Sequence, residues 1–506
     1  MNPTPGLPGP ADVVVVGGGS AGATLAARLS EDLSRHVLLL EAGPALTREE
    51  VPAELSNADT VAAAAFDWGY TARGGASLPE MAVPRGRVLG GSSAVNAAVA
   101  IRARRTDIEA WRQHGVEGWS WEEVLETFKA MENTDTGDDA FHGRSGPLSI
   151  RQRTNVDLTP SLLGFIDAAV ADGYKRVDDF NGDDPEGAGG YPVNVVEGVR
   201  QSSAAAYLTD EVRKRPNLTI IGGVVVDKVL FEGTTATGVI DSSGSVYAAK
   251  EVILSAGTYG SPAILLRSGI GPAGDLAELG VATIADLPIG QHLIDQPIFY
   301  NAYALADGVT QMTPATGALL WFRSILAADG ELDLHISATH LLDGSYSPTG
   351  GAIVLAAAIV LPESVGSLRI SSTDPNEQPL IDNNFLATER DQARMLEGVK
   401  LSRRLARGSV FGPLQAGELI PGDAVGDDQL LEVVAANLAT YGHPTSTVPM
   451  GGANDPRAVV DSRGAVRGLS NIRVVDASII PEIPSTVTNL TTIMVAERIF
   501  RLVYGR

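Results

Sequence analysis

Cysteine is absent from the 506 residues, so the chain can form no disulfide, no thiolate-ligated metal centre and no thioether link to a cofactor. Aromatic residues are scarce, at 5%, which disfavours the aromatic cage that a quaternary ammonium ligand calls for. Positive charge is in deficit: 38 Lys and Arg stand against 61 Asp and Glu, a formal net charge of −23. The acidic residues are spread along the chain rather than gathered in a tail. That balance argues against nucleic acid, which needs a basic face, and against long-range steering of strongly anionic substrates. No uninterrupted apolar run reaches about 18 residues, so no membrane span is expected. The opening stretch, MNPTPGLPGPADVVVVGGG, has neither the basic nor the apolar region of a signal peptide. A cytoplasmic location is the expectation.

What the chain has in abundance is glycine, 56 residues, suited to tight turns and to close approach of backbone to a ligand. Four of them fall in one motif, DVVVVGGGSAGATLAARL. Asp12 to Val16 reads as a short buried parallel strand. Gly17, Gly19 and Gly22 then supply a G-x-G-x-x-G turn that opens a helix, and HVLLLEAG follows as a second strand ending in Glu41. Strand, glycine turn, helix, strand and acid together form the dinucleotide fingerprint. Gly17 permits the tight turn, Gly19 lets backbone approach a pyrophosphate, and Gly22 lets the helix pack on the strand. The helix N-terminus offers unpaired N–H groups to phosphate, and Glu41 is suited to accept from ribose hydroxyls.

NLTIIGGVVVDKVLFEG, GSVYAAKEVILSAG and NIRVVDASIIP read as later strands of the same sheet, the last ending at Asp476. Residues 151–205 are polar and Gly-rich. Residues 292–430 mix strand-like runs such as GAIVLAAAIVL with a helical tract, RDQARMLEGVKLSRRLA. These two segments are read as a second lobe interrupting the first. His335 and His340 lie five apart in the strand-like LDLHISATH, on opposite faces, and are read as structural; no metal site is expected.

Six long motifs occur in order: GRVLGGSSAVNAAVAIRARRTDIE (86–109), DDFNGDDPEGAGGYPVNVVEGVRQSSAAAYL, GTYGSPAILLRSGIG (257–271), HPTSTVPMG, VVDSRGAVRGLSNIRVVDASIIP and TNLTTIMVAERI. With them the chain resembles the glucose–methanol–choline (GMC) family of FAD oxidoreductases over nearly its whole length. The resemblance implies an α/β fold. A Rossmann-like FAD-binding lobe (1–150, 206–291 and 431–506) would be interleaved with a substrate lobe of antiparallel sheet plus helices (151–205 and 292–430). Residues expected to hold the cofactor in the first motif are Gly17, Gly19, Ser20, Ala21 and Gly22, with Glu41 and Ala42 after the second strand. Arg87, Gly90, Gly91, Ser92 and Asn96 follow from the small-residue loop. Val226, Ala256, Gly257, Asp476, Ala477, Thr488 and Asn489 complete the set. Some family members attach the flavin through a histidine of that loop; here the position is Val95, so FAD is expected to be non-covalent.

The family's activity implies hydride transfer from an alcohol carbon to flavin while a base takes the hydroxyl proton. By resemblance, that base is His443 of the HP motif. Asp295 and Gln296 stand where the family often has Asp-His and are read as architectural. The family's second catalytic position, an Asn or His, falls eleven residues after Asp476, at Val487. Valine offers no hydrogen bond. Either Thr488, Ser446, Tyr441 or a water supplies the missing contact, or Asn489 swings into the catalytic place, or the site does other chemistry. The expected function is oxidation of a primary or aryl alcohol to the aldehyde. Bacterial members acting on such alcohols, the hydroxymethylfurfural-type oxidases included, are the nearest in texture. Oxygen or another acceptor would take the electrons, which leaves oxidase and dehydrogenase both open. A flavin-dependent lyase or decarboxylase is the remaining alternative.

Overall fold

In the computed structural model, which describes residues 9–75 and 78–505, the first motif folds around a parallel sheet. The strand Ala11–Val16 is apolar and almost wholly buried, as suits a central strand covered on both faces. It pairs in parallel with Val37–Leu40 on one side and with Val246–Leu254 on the other. Leu218–Ile221 extends the sheet beyond Val37–Leu40, and Ile472–Val474 runs parallel to the far end of Val246–Leu254. The nine-residue strand Val246–Leu254 serves two partners. Its second half belongs to the parallel layer, while its first half pairs antiparallel with Thr235–Asp241, which in turn pairs with Val226–Glu232.

The crossover from the first strand is the helix Ser20–Leu29. Its small buried residues, Ala21 to Ala27, let it lie close on the sheet and against the C-terminal helix Asn489–Tyr504. Arg28 donates to the buried Glu497 across that helix pair at 2.8 Å. Gly17 holds φ +93°, and a Cβ on Gly22 would sit 1.8 Å from the Gly17 carbonyl oxygen, so both glycines are required by the turn itself.

A second sheet is antiparallel. Its order is Gln415–Ile420, Pro297–Leu305, Ala352–Ile359, Leu334–Thr339, Thr316–Phe322 and Gly187–Gly190, with Ala439–Thr440 beside Pro297–Leu305. The helices Glu389–Arg407 and Pro160–Ala171 pack on it. Side chains alternate along each strand. Phe299, Ile336, Ala338, Leu355 and Ala357 join the main core, while Ile298, Tyr300, Ser337, Thr339 and Ala356 line a cavity between this sheet and the parallel one. Among the described residues no helix is long and apolar enough to cross a membrane.

Candidate active site

The cavity has a volume of about 480 Å³ and runs from the Gly17 turn to the second sheet. At its first end stand Gly17, Gly19, Ser20 and Ala21, with Glu41 and Ala42 beside them. The helix Ser20–Leu29 has no side-chain cap, so its first N–H groups are left for a ligand. The Glu41 carboxylate accepts from the Gly18 and Gly43 N–H groups, both at 2.8 Å. Burial pushes its pKa up, against those bonds. Gly19 and Gly91 meet face to face: a Cβ on Gly91, which holds φ +53°, would lie 2.7 Å from the Gly19 Cα. A Cβ on Gly19 would find nothing closer than 3.8 Å, so that side of the backbone opens onto the cavity.

Gly91, Ser92 and Asn96 continue the wall, with Val95 between them. Gly90 lies behind it, φ +100°, donating its N–H to the Gly18 carbonyl at 2.8 Å. Gly22 is behind the wall as well. Arg87 is exposed, its guanidinium 4.7 Å from the Trp68 ring centroid, and its neighbours Arg85 and Gly86 line the cavity instead. Val226, Ala256, Gly257, Asp476 and Ala477 form the next stretch of wall. Asp476 ties it together: one carboxylate oxygen accepts from Gly257 N and Ser261 Oγ at 2.9 and 2.6 Å, the other from Ser478 N and Oγ at 2.8 and 2.5 Å. Burial raises the Asp476 pKa, opposed by these bonds.

Thr488 and Asn489 bring a second helix start to the cavity, again without a side-chain cap. Asn489 Oδ1 accepts from Ser20 Oγ at 2.8 Å, which joins the two helix starts, and its Nδ2 is buried without a partner among the described residues. Two uncapped helix N-termini, an orphaned amide donor and a bare glycine backbone facing one elongated cavity fit a dinucleotide with a flat ring. The residues named above that line the cavity could hold FAD.

His443 stands at the end nearest the second sheet. Its Nδ1 lies 2.7 Å from Gln296 Oε1. The Gln296 amide cannot turn over, because its Nε2 donates to the carbonyls of Val360 and Pro484 at 2.8 and 3.0 Å. The oxygen must therefore face the ring, so Nδ1 carries the hydrogen and Nε2 keeps a lone pair. Asp295 accepts the His443 backbone N–H at 2.9 Å and the Thr440 hydroxyl at 2.5 Å. Removal from bulk water pushes the His443 pKa down to about 3, helped by the charge of Arg85. Arg85 itself donates to the Gly442 carbonyl at 2.8 Å.

Val487 also lines the cavity, and it packs with Ile101, Tyr191 and Trp321 in a separate apolar cluster. The valine thus belongs to a seam between the C-terminal segment and the second sheet. Ser446 is fully buried, bonded to Thr445 Oγ1 at 2.9 Å, and is not on the wall. His340 is bonded to the Ala352 carbonyl and Thr159. Residues that sequence reasoning did not assign to the site are Arg85, Tyr191, Tyr300 and Ser337, all on the wall. Gln296 was noticed for its position, but the contact with His443 had no signature in the sequence.

Residues 11–298 match a family model described as GMC oxidoreductase, and residues 362–496 match a second with the same description. An oxygen-dependent choline dehydrogenase of Photobacterium profundum is 34% identical, over 98% of this chain and 93% of that protein. An "alcohol dehydrogenase [acceptor]" of Pseudomonas putida is 35% identical, over 96% and 94%. Among solved structures, pyridoxine 4-oxidase from Mesorbium loti superposes with a TM-score of 0.89 at 32% identity, covering 98% of this chain and 99% of that one.

Proposed function

The chain belongs to the GMC oxidoreductase family, and from that premise we propose that it oxidises a neutral primary or aryl alcohol to the aldehyde with His443 as the base. Its membership makes it an FAD-dependent oxidoreductase acting on CH–OH groups. Bound FAD supplies the acceptor for the hydride. This chain's residues bind and orient the reactants, keep water away and take the hydroxyl proton.

The observation that carries the reading is the pinned Gln296 amide. It leaves His443 with Nδ1–H toward Gln296 and a free Nε2 lone pair, the tautomer a proton acceptor needs. The depressed pKa keeps that lone pair unprotonated across the physiological range. The substrate class is supported by the second sheet. Ile298, Tyr300, Thr316, Ser337, Thr339 and Ala356 face the cavity, and none is charged. A choline-like cation would be better served by a carboxylate at this end, so the substrates named for the choline dehydrogenase relatives are not carried over.

The test is anaerobic mixing of the FAD-loaded enzyme with benzyl alcohol and other neutral primary alcohols, following flavin absorbance. His443→Ala is expected to slow reduction at least about 10²-fold. Survival of the rate in that variant removes His443 as the base. Failure of every alcohol to bleach the wild-type flavin would favour lyase or decarboxylase chemistry instead.

A further inference from the structure

Val487, on the cavity wall, has no hydrogen bond to give a substrate oxygen, and a trio of hydroxyls on the same wall can give one. Tyr191 donates to Ser337 Oγ at 2.7 Å, and Ser337 Oγ lies 2.6 Å from the Tyr441 hydroxyl. All three residues line the cavity. Three hydroxyls carry three hydrogens, and the two bonds commit two of them. One hydrogen is left to donate. Tyr191 has given its own to Ser337, so when Ser337 donates onward the spare hydrogen belongs to Tyr441.

Tyr441 stands beside His443 on the cavity wall. The Tyr441 ring is 4.5 Å from the His443 ring, centroid to centroid, and is backed edge-on by His335 at 6.1 Å. Neither ring nitrogen of His335 has a hydrogen-bond partner among the described residues, so His335 does not capture the Tyr441 hydroxyl. Burial holds His335 uncharged, its pKa pushed down to about 3.

We propose that Tyr441 is a catalytic residue: its hydroxyl, aligned by Ser337 and Tyr191, donates to the oxygen of a neutral alcohol the hydrogen bond that Val487 cannot. This rests on the alcohol-oxidation reading with His443 as base. A donor fixed where negative charge develops on oxygen stabilises the transition state more than the ground state.

The experiment compares anaerobic flavin reduction by benzyl alcohol in FAD-loaded variants. Tyr441→Phe is expected to lower the rate constant about 10²-fold, the usual effect of removing one such donor, with flavin spectrum and melting temperature unchanged. Tyr191→Phe leaves two hydroxyls and one bond, hence still one spare hydrogen, and should cost less than about 5-fold. Ser337→Ala unties the Tyr441 hydroxyl and should cost about 10-fold, which keeps the test alive if Tyr441→Phe does not fold. Adding Val487→Asn to Tyr441→Phe should recover part of the lost rate. The assignment is overturned if Tyr441→Phe or Ser337→Ala reduces at the wild-type rate, if Tyr191→Phe costs as much as Tyr441→Phe, or if Thr488→Val alone produces the loss. A silent Tyr441→Phe beside an inactive His443→Ala sinks this assignment only; a wild type that no alcohol reduces sinks both.

Discussion

Changing Gln296 to glutamate should move the acid limb of the reaction. In the native amide the oxygen faces His443 Nδ1 at 2.7 Å, while the nitrogen is held by the Val360 and Pro484 carbonyls. A glutamate of the same shape keeps the acceptor and loses the donor. Ionised, its charge would lie about 4 Å from the centre of a protonated imidazole. At an effective dielectric of about 20 that attraction is worth about 4 kcal/mol, or about 3 pKa units. His443, held at about 3 in the native chain, would rise toward about 6. Burying a carboxylate against two carbonyls opposes this, so the shift has that value as its ceiling. A proton acceptor works only when unprotonated. The wild-type reduction rate should therefore hold down to about pH 4, and that of Gln296→Glu should fall below about pH 6. Stopped-flow flavin reduction from about pH 4 to 9, with FAD occupancy checked by absorbance, reads this directly. Gln296→Leu is the companion: it deletes the three short side-chain hydrogen bonds, at about 1 kcal/mol each, with the longer one to the Thr486 carbonyl, and frees the tautomer. Identical pH profiles for the wild type and a fully FAD-loaded Gln296→Glu enzyme would refute the claim that Gln296 sets the state of His443.

Gly91→Ala forces a Cβ to within 2.7 Å of the Gly19 Cα at φ +53°, so the purified protein should lose most of its yellow colour per chain. Val487→Asn alone should be neutral to mildly activating in flavin reduction, but should lower stability by about 1–2 kcal/mol through lost packing with Ile101 and Trp321, readable by urea denaturation. Burial lowers the pKa of His142, but its bonds to Asp179 and Glu132, at 2.8 and 3.0 Å, outweigh that and hold it at about 9. The folded value lies above the unfolded one, so this stabilisation is complete below about pH 6.5 and is lost as pH rises through about 9. Melting temperature should fall across that window, and His142→Gln should flatten the fall.

The dinucleotide end of the cavity was legible in the chain because its chemistry demands glycine at fixed spacing: Gly17 and Gly22 each meet a geometric requirement that no other residue satisfies, and Gly19 leaves the backbone bare toward the cavity. The parallel strands were legible for a related reason: Val13 to Val16 are covered on both faces and so form an unbroken apolar run. The same property hid the orientation of the second sheet. Ala352–Ile359 is buried at every position, so no alternation marks Ala356 as facing the cavity and Ala357 as facing the helices. The hydroxyl trio was invisible because Tyr191, Ser337 and Tyr441 come from three segments that only the folded chain brings together. Between Arg85 and Arg87, two residues apart, nothing but geometry tells which one reaches the cavity.

The carbonyls that grip Gln296 come from two places, Val360 just past a strand of the antiparallel sheet and Pro484 in the loop leading to Val487 and Asn489. The tautomer of His443 is thereby linked, through Gln296, to a segment whose other end starts a helix at the cofactor cavity. Substitutions in residues 481–486, none of which need touch a substrate, can retune the acidity profile of turnover simply by shifting one peptide oxygen.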